Sequence, residues 1–148
     1  MPNLDSYLVA RPAWTRIENG NGTRVAEQRT VYDRNTSYLQ APTAGDARTA
    51  SALEPTLGRF VETSYRHDGH GNVTAKTDPS GVVTSTDWDD TYARFPVREC
   101  NAVWCTSTTW DTVLGRATTI IDPNGLTTSV AWDPLGRHRR TDSPDGGA

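Results

Sequence analysis

The chain has 148 residues, with 15 Lys and Arg against 18 Asp and Glu, a formal net charge of −3. That balance excludes duplex nucleic acid as the main partner, because duplex binding needs a clustered positive face. The length is that of one domain, and a hydrophobic fraction of 34% is too low to fill a thick sandwich core.

Met1-Pro2-Asn3-Leu4-Asp5 has neither a positive start nor an apolar stretch, so it is not a signal peptide. No segment of the chain is an apolar run long enough to span a bilayer. Residues Trp14 to Glu18 and Thr23 to Glu27 are strand-like and flank Asn19-Gly20-Asn21-Gly22, a strong hairpin signal. Val31-Tyr32-Asp33 resembles an aromatic–Asp element, but it stands 35 residues before Asp68, out of register with the pairs that follow. Leu39 to Leu57 is rich in Ala, Thr, Pro and Gly, and is expected to be a loop with one short helical turn near Ala47 to Leu53. It leads into Phe60 to Tyr65, the first strand of a regular array.

From there an aromatic–Asp pair returns at a near-constant interval. His67-Asp68, Trp88-Asp89, Trp110-Asp111 and Trp132-Asp133 follow one another at 21, 22 and 22 residues. A fixed period of this size signals stacked supersecondary units rather than one enzyme-like core. Each pair opens a turn: Asp68-Gly69-His70-Gly71 and Asp133-Pro134-Leu135-Gly136 share the Asp-x-x-Gly form, and the stretch from Asp111 to Gly115 carries one extra residue. Between them lie Asp78-Pro79-Ser80-Gly81 and Asp122-Pro123-Asn124-Gly125. Asp, Pro and Gly occupy the first, second and fourth positions that a type I turn favours. Ser143-Pro144-Asp145-Gly146 is a degraded third copy.

The intervening segments alternate with period two. Leu126, Thr128, Val130 and Trp132 fall on one face, as do Val82, Thr84, Thr86 and Trp88. Arg116 to Ile121 is the strand leading into the second Asp-Pro-x-Gly turn. Thr and Ser dominate these faces, which suits a sheet wet on one side or a wide shell with a wet interior. The fold expected is all-β and antiparallel. Residues 1–63 form an irregular β region with a loop, and residues 64–148 an array of about four units.

Several residues admit a second reading. Cys100 and Cys105 flank four residues; across a hairpin they either form a disulfide, which suits an extracellular setting, or remain two free thiols. With no further Cys or suitably spaced His, they do not make a zinc site. His67 and His70 bracket Asp68, but Asp68 and Gly71 already have turn duties. No Gly-x-Ser-x-Gly elbow joins Ser, His and Asp, and Asp residues that recur identically do not form a catalytic pair, which needs two distinct environments. No catalytic residue, cofactor or metal site is therefore expected. Asn21-Gly22-Thr23, Asn35-Thr36-Ser37 and Asn72-Val73-Thr74 match the glycosylation pattern, as chance allows in a chain rich in these residues. Arg137-His138-Arg139-Arg140 is a charged strand near an open edge, or a weak contact for an anionic polymer. The five Trp leave glycan stacking open, although Trp88, Trp110 and Trp132 share one repeat position, which points to packing between units.

The ordered set from about Gly58 to Gly146 resembles the YD-repeat, or Rhs-repeat, family. It comprises His67-Asp68 with Gly71-Asn72-Val73-Thr74, Asp78-Pro79 with Gly81, Trp88-Asp89, Arg94-Phe95-Pro96-Val97, Asn101-Ala102 and Trp110-Asp111. It continues through Gly115-Arg116, Asp122-Pro123-Asn124-Gly125 and Trp132-Asp133 with Gly136-Arg137. The preceding loop resembles the segment before the repeats in B-component toxin-complex and SpvB-like proteins. Trp stands in the usual Tyr slot, and His at position 67. The resemblance implies tandem hairpins forming a curved sheet, a fragment of a hollow β-shell that encloses a toxin or effector polypeptide. It implies the rest of such a shell as partner, within a larger secreted or surface bacterial protein. A carbohydrate-binding or self-assembling surface β-module is the alternative. The final Pro144 to Ala148, a turn with no strand after it, is expected of an internal piece of a longer exported chain.

Overall fold

A computed structural model of the chain describes residues 11–145. Eleven strands account for its regular structure. They are β1 (Trp14–Glu18), β2 (Arg24–Tyr32), β3 (Ala47–Glu54), β4 (Arg59–His67), β5 (Val73–Thr77) and β6 (Val83–Trp88), then β7 (Pro96–Cys100), β8 (Cys105–Asp111), β9 (Arg116–Ile121), β10 (Thr127–Trp132) and β11 (His138–Asp142). The fold is all-β and antiparallel, and no helix occurs among the described residues. Among the described residues no helix is long and apolar enough to cross a membrane.

The strands divide into two compact units, one ending at Val82 and one beginning at Val83. Length alone suggests a single domain. The division follows from the architecture, because stacked hairpins touch only their neighbours and no central core ties the ends together. In each unit the strands hydrogen-bond in chain order: β1 to β5 in the first unit, β6 to β11 in the second. Strand β4 runs through positions 63 and 64, so the irregular and regular stretches of sequence meet inside one continuous strand.

The stretch expected to be a loop with a helical turn holds β3 instead, which pairs with β2 and with β4 from Thr49↔Ser64 to Glu54↔Arg59. Ala-Arg-Thr-Ala-Ser-Ala lacks the Val and Ile that mark strands. Its neighbours on both sides supply the pairing that local propensity does not.

Strand alternation is clear in the second unit. In β6, Thr84, Thr86 and Trp88 are half-buried while Val83, Ser85 and Asp87 face water. In β10, Thr128, Val130 and Trp132 are half-buried between exposed neighbours. Among the described residues the buried hydrophobic set is only Tyr32 and Phe95, with Pro42 fully enclosed. Hydrogen bonding and neighbour-to-neighbour packing, rather than a thick core, hold these sheets.

Candidate functional site

The aromatic–Asp and Asp-Pro-x-Gly motifs build the same five-residue device. In the turn at Asp133 the Asp133 N–H donates to the Arg137 carbonyl (2.9 Å) and the Gly136 N–H donates to the Asp133 carbonyl (2.9 Å). Asp133 Oδ1 then accepts from the backbone N–H groups of Leu135 and Arg137, both at 2.9 Å. Asp68, Asp78 and Asp122 repeat all four bonds with their own second, third and fourth followers. This is a type I turn closed by a left-handed residue, the three-residue hairpin form. Gly125 takes that residue's place at φ 80°, where a Cβ would be strained. Asn19 makes the same four bonds with Asn21, Gly22 and Thr23, with an amide oxygen in place of the carboxylate. Sequence reasoning found this hairpin but not its identity with the Asp turns; the shared signal is Asx-x-x-Gly.

Longer loops keep the Asp and change what surrounds it. Asp111 is capped by the Gly115 N–H and accepts from Val113 and Leu114. Asp89 closes a seven-residue loop: its N–H donates to the Phe95 carbonyl, and Oδ1 accepts from Arg94 and Phe95. Ala93 takes the left-handed position at φ 50°. Asp33 closes the widest loop. Its N–H donates to the Asp46 carbonyl at 2.7 Å, and its carboxylate accepts from the backbone of Thr43, Ala44, Gly45 and Asp46. Tyr32-Asp33 is therefore a further repeat element, put out of register by its inserted loop.

Six of these hairpins share a β-bulge at one place. Register slips just before Glu18, Tyr32, His67, Trp88, Trp110 and Trp132, each the residue before the Asn or Asp. One residue of each return strand is left over: Val25, Arg48, Thr74, Val97, Thr118 and Arg139. Bulges increase local twist and bend the strand that carries them. No sequence signal marks the extra residue.

The carboxylates titrate low for a shared reason. Partial burial pushes Asp68 up, but the backbone N–H groups of Asn72 and His70 outweigh it and hold the carboxyl below its ordinary value. Burial is likewise outweighed at Asp33 by Thr43 and Asp46, and at Asp89 by Phe95 and Tyr92. The Ser80 hydroxyl lowers Asp78, and the Arg137 backbone and guanidinium lower Asp133. Carboxylates held ionised by several fixed donors are poor proton acceptors. Among the described residues no cluster of three or more His, Cys, Asp or Glu could hold a metal.

The aromatic residues join one hairpin to the one before it. Trp110 Nε1 donates to the Pro96 carbonyl at 2.8 Å, and its ring stacks on Phe95 with centroids 5.3 Å apart. Trp132 Nε1 donates to the Ala117 carbonyl at 2.7 Å, with the Arg116 guanidinium 5.3 Å from its ring centroid and His138 at its edge. Phe95 and Arg116 occupy equivalent places, one residue before the partner of the preceding Trp. Tyr32 also reaches back along the chain, its hydroxyl donating to the Pro12 carbonyl ahead of β1. His67 holds the aromatic slot before Asp68, half-buried.

At the opposite turn between β7 and β8, Cys100 and Cys105 are joined, their Cα atoms 4.1 Å apart. Asn101 Oδ1 accepts from Val103 and Trp104 inside that loop. The Ser143-Pro144-Asp145-Gly146 motif extends beyond the described residues, as does the N-terminal Met1 to Asp5.

No family model and no curated protein sequence matches the chain. Solved structures do match. A crystal structure of TcdB2-TccC3 superposes with a TM-score of 0.62, and crystal structures of TcdB2-TccC3-Cdc42 and TcdB2-TccC3-TEV with 0.61. Each is 16% identical to the chain over 83% of its length. The likeness is one of fold. The chain spans 8% of the length of the chains it matches.

Proposed function

We propose that this chain is a stretch of wall in a larger repeat shell that encloses a toxin or effector polypeptide, secreted or displayed by a bacterium. The observation that carries the reading is the backward link: Trp110 and Trp132 each fasten their hairpin to the preceding one through the same backbone acceptor position. Such a link can be extended hairpin by hairpin without limit, as a wall requires and a compact ligand-binding domain does not. The fold likeness to a small fraction of much longer chains supports the same reading. The role is structural rather than catalytic, since the recurring carboxylates serve the backbone of their own turns. Trp110 and Trp132 already stack on protein groups, which favours packing over sugar recognition at those rings.

The test is the length of the reading frame that encodes this chain, read from genomic DNA on both sides. The reading expects further aromatic–Asp repeats followed by a C-terminal domain of unrelated sequence. A frame that ends at both ends of these 148 residues would refute it.

A further inference from the structure

In the first unit, the turns at Asp33 and Asp68 frame a solvent-open cavity of about 840 Å³. Small-ligand sites run from about 300 to 1,000 Å³. Its wall includes Arg34, Arg48 and Arg66, together with Tyr65, His67 and Asp46. The three arginines are exposed, whereas Tyr65 and His67 are half-buried.

The charges in this wall do not cancel by pairing. Asp33, Asp46 and Asp68 also line it; the Asp33 and Asp68 carboxylates are committed to backbone donors of their own loops, with the Asn72 side-chain amide added at Asp68, and the Asp46 carboxylate lies beside Gly71. Among the described residues, no ion pair joins any of the three arginines to a carboxylate. The Arg34 and Arg66 side chains have no hydrogen-bond partner there, and the Arg48 side chain gives one bond, from Nη1 to the Asn35 carbonyl at 3.2 Å. Three arginines thus line one cavity with most of their side-chain donors unused. A guanidinium presents a planar fork of N–H donors that matches phosphate, sulfate and carboxylate oxygens two at a time.

We propose that this cavity is a binding site for a small ligand carrying two or more oxyanion groups, as phosphate or sulfate esters. The guanidinium forks of Arg34, Arg48 and Arg66 bind the oxyanions, and the half-buried Tyr65 and His67 form the wall for the ligand's body. The site is independent of the shell reading, because it is complete within the first unit.

Titration calorimetry on the whole 148-residue chain tests it. The probes are pyrophosphate, a sulfated disaccharide and the same disaccharide without sulfate. The expected result is saturable one-to-one binding of at least one anion and none of the neutral sugar. Arg34→Gln and Arg66→Gln should each weaken binding roughly tenfold or more, the worth of one charge-assisted contact. Arg34→Lys should fall between, keeping charge but losing the fork. Arg139→Gln, an exposed arginine of the other unit, should leave binding unchanged. Pyrophosphate alone would name a phosphate source, the sulfated sugar alone a glycan source, and both a site that reads the oxyanions themselves. Circular dichroism confirms that each variant keeps its strands, and Arg34, on an exposed loop, keeps the test available if Arg66→Gln unfolds. No saturable binding at millimolar anion, or equal losses in all three Gln variants, overturns the proposal.

Discussion

Trp132 lies against the hairpin before its own, its indole N–H 2.7 Å from the Ala117 carbonyl oxygen and its ring under the Arg116 guanidinium. One side chain thus satisfies a backbone acceptor, buries an aromatic face and sets the spacing between consecutive hairpins. Trp110 does the same against Pro96 and Phe95.

Removing that link should loosen the second unit. Trp132→Phe keeps most of the ring and loses the hydrogen bond, at a cost of about 1 kcal/mol. Trp132→Ala also loses the half-buried ring and should cost about 2–3 kcal/mol, less than the full-burial range. Urea unfolding followed by strand signal checks both, and equal losses for Phe and Ala would contradict the hydrogen-bonded ladder.

The left-handed turn position makes a paired prediction of opposite sign. Ala93 occupies it at φ 50° where the other Asp turns use glycine. Ala93→Gly should stabilise the chain by up to about 1 kcal/mol, relieving the left-handed Cβ contact. Gly125→Ala, at φ 80° with open space around it, should cost about 1 kcal/mol for backbone strain alone. The two shifts in urea midpoint should differ in sign.

Acid should strip stability from the Asp turns but not from the Asn19 turn. The folded carboxyls of Asp33, Asp68, Asp78, Asp89 and Asp133 sit below the unfolded value of 3.8. Their contribution is therefore complete above pH ~4 and is lost as pH falls through the lower folded values. Carbon-detected titration of the Asp133 carboxyl should show a midpoint under 3.8. Asp133→Asn should keep the turn's acceptor, as Asn19 does, and flatten the acid limb of the stability profile.

The link between Cys100 and Cys105 predicts no free thiol in the chain handled without reductant and two after reduction. Closing so short a loop is worth about 2 kcal/mol on the chain-entropy account. Reduction should lower the urea midpoint of the second unit by that amount and leave the first unit unchanged.

Much of this arrangement was legible in the residues themselves. Asp with Gly three positions on is a turn with a mechanism, and the alternation of Thr, Val and Trp placed strand faces correctly in β6 and β10. Four features were not legible, each for a physical reason. β3 is built from Ala, Thr and Ser, whose local preference is weak, so its strand state comes from β2 and β4 beside it. Asp33 does the work of a repeat aspartate, but the loop to Asp46 hides its period. The bulged residues range over Val, Thr and Arg, from Val25 to Arg48 to Thr118, because a bulge is a matter of register rather than of side chain. The charged cavity was likewise out of reach, since Arg34, Arg48 and Arg66 are distant in sequence and meet only through the pairing of β3 with β4 and the return of the Asp33 loop.

The most direct test of the wall reading is an electron cryo-microscopy map of the full product of the reading frame that encodes this chain. The account predicts that β1 to β11 lie within a continuous β-wall, their outer strands hydrogen-bonded to further repeats, around a lumen that contains polypeptide density. A free-standing sheet with both outer edges open to water and nothing enclosed would contradict it.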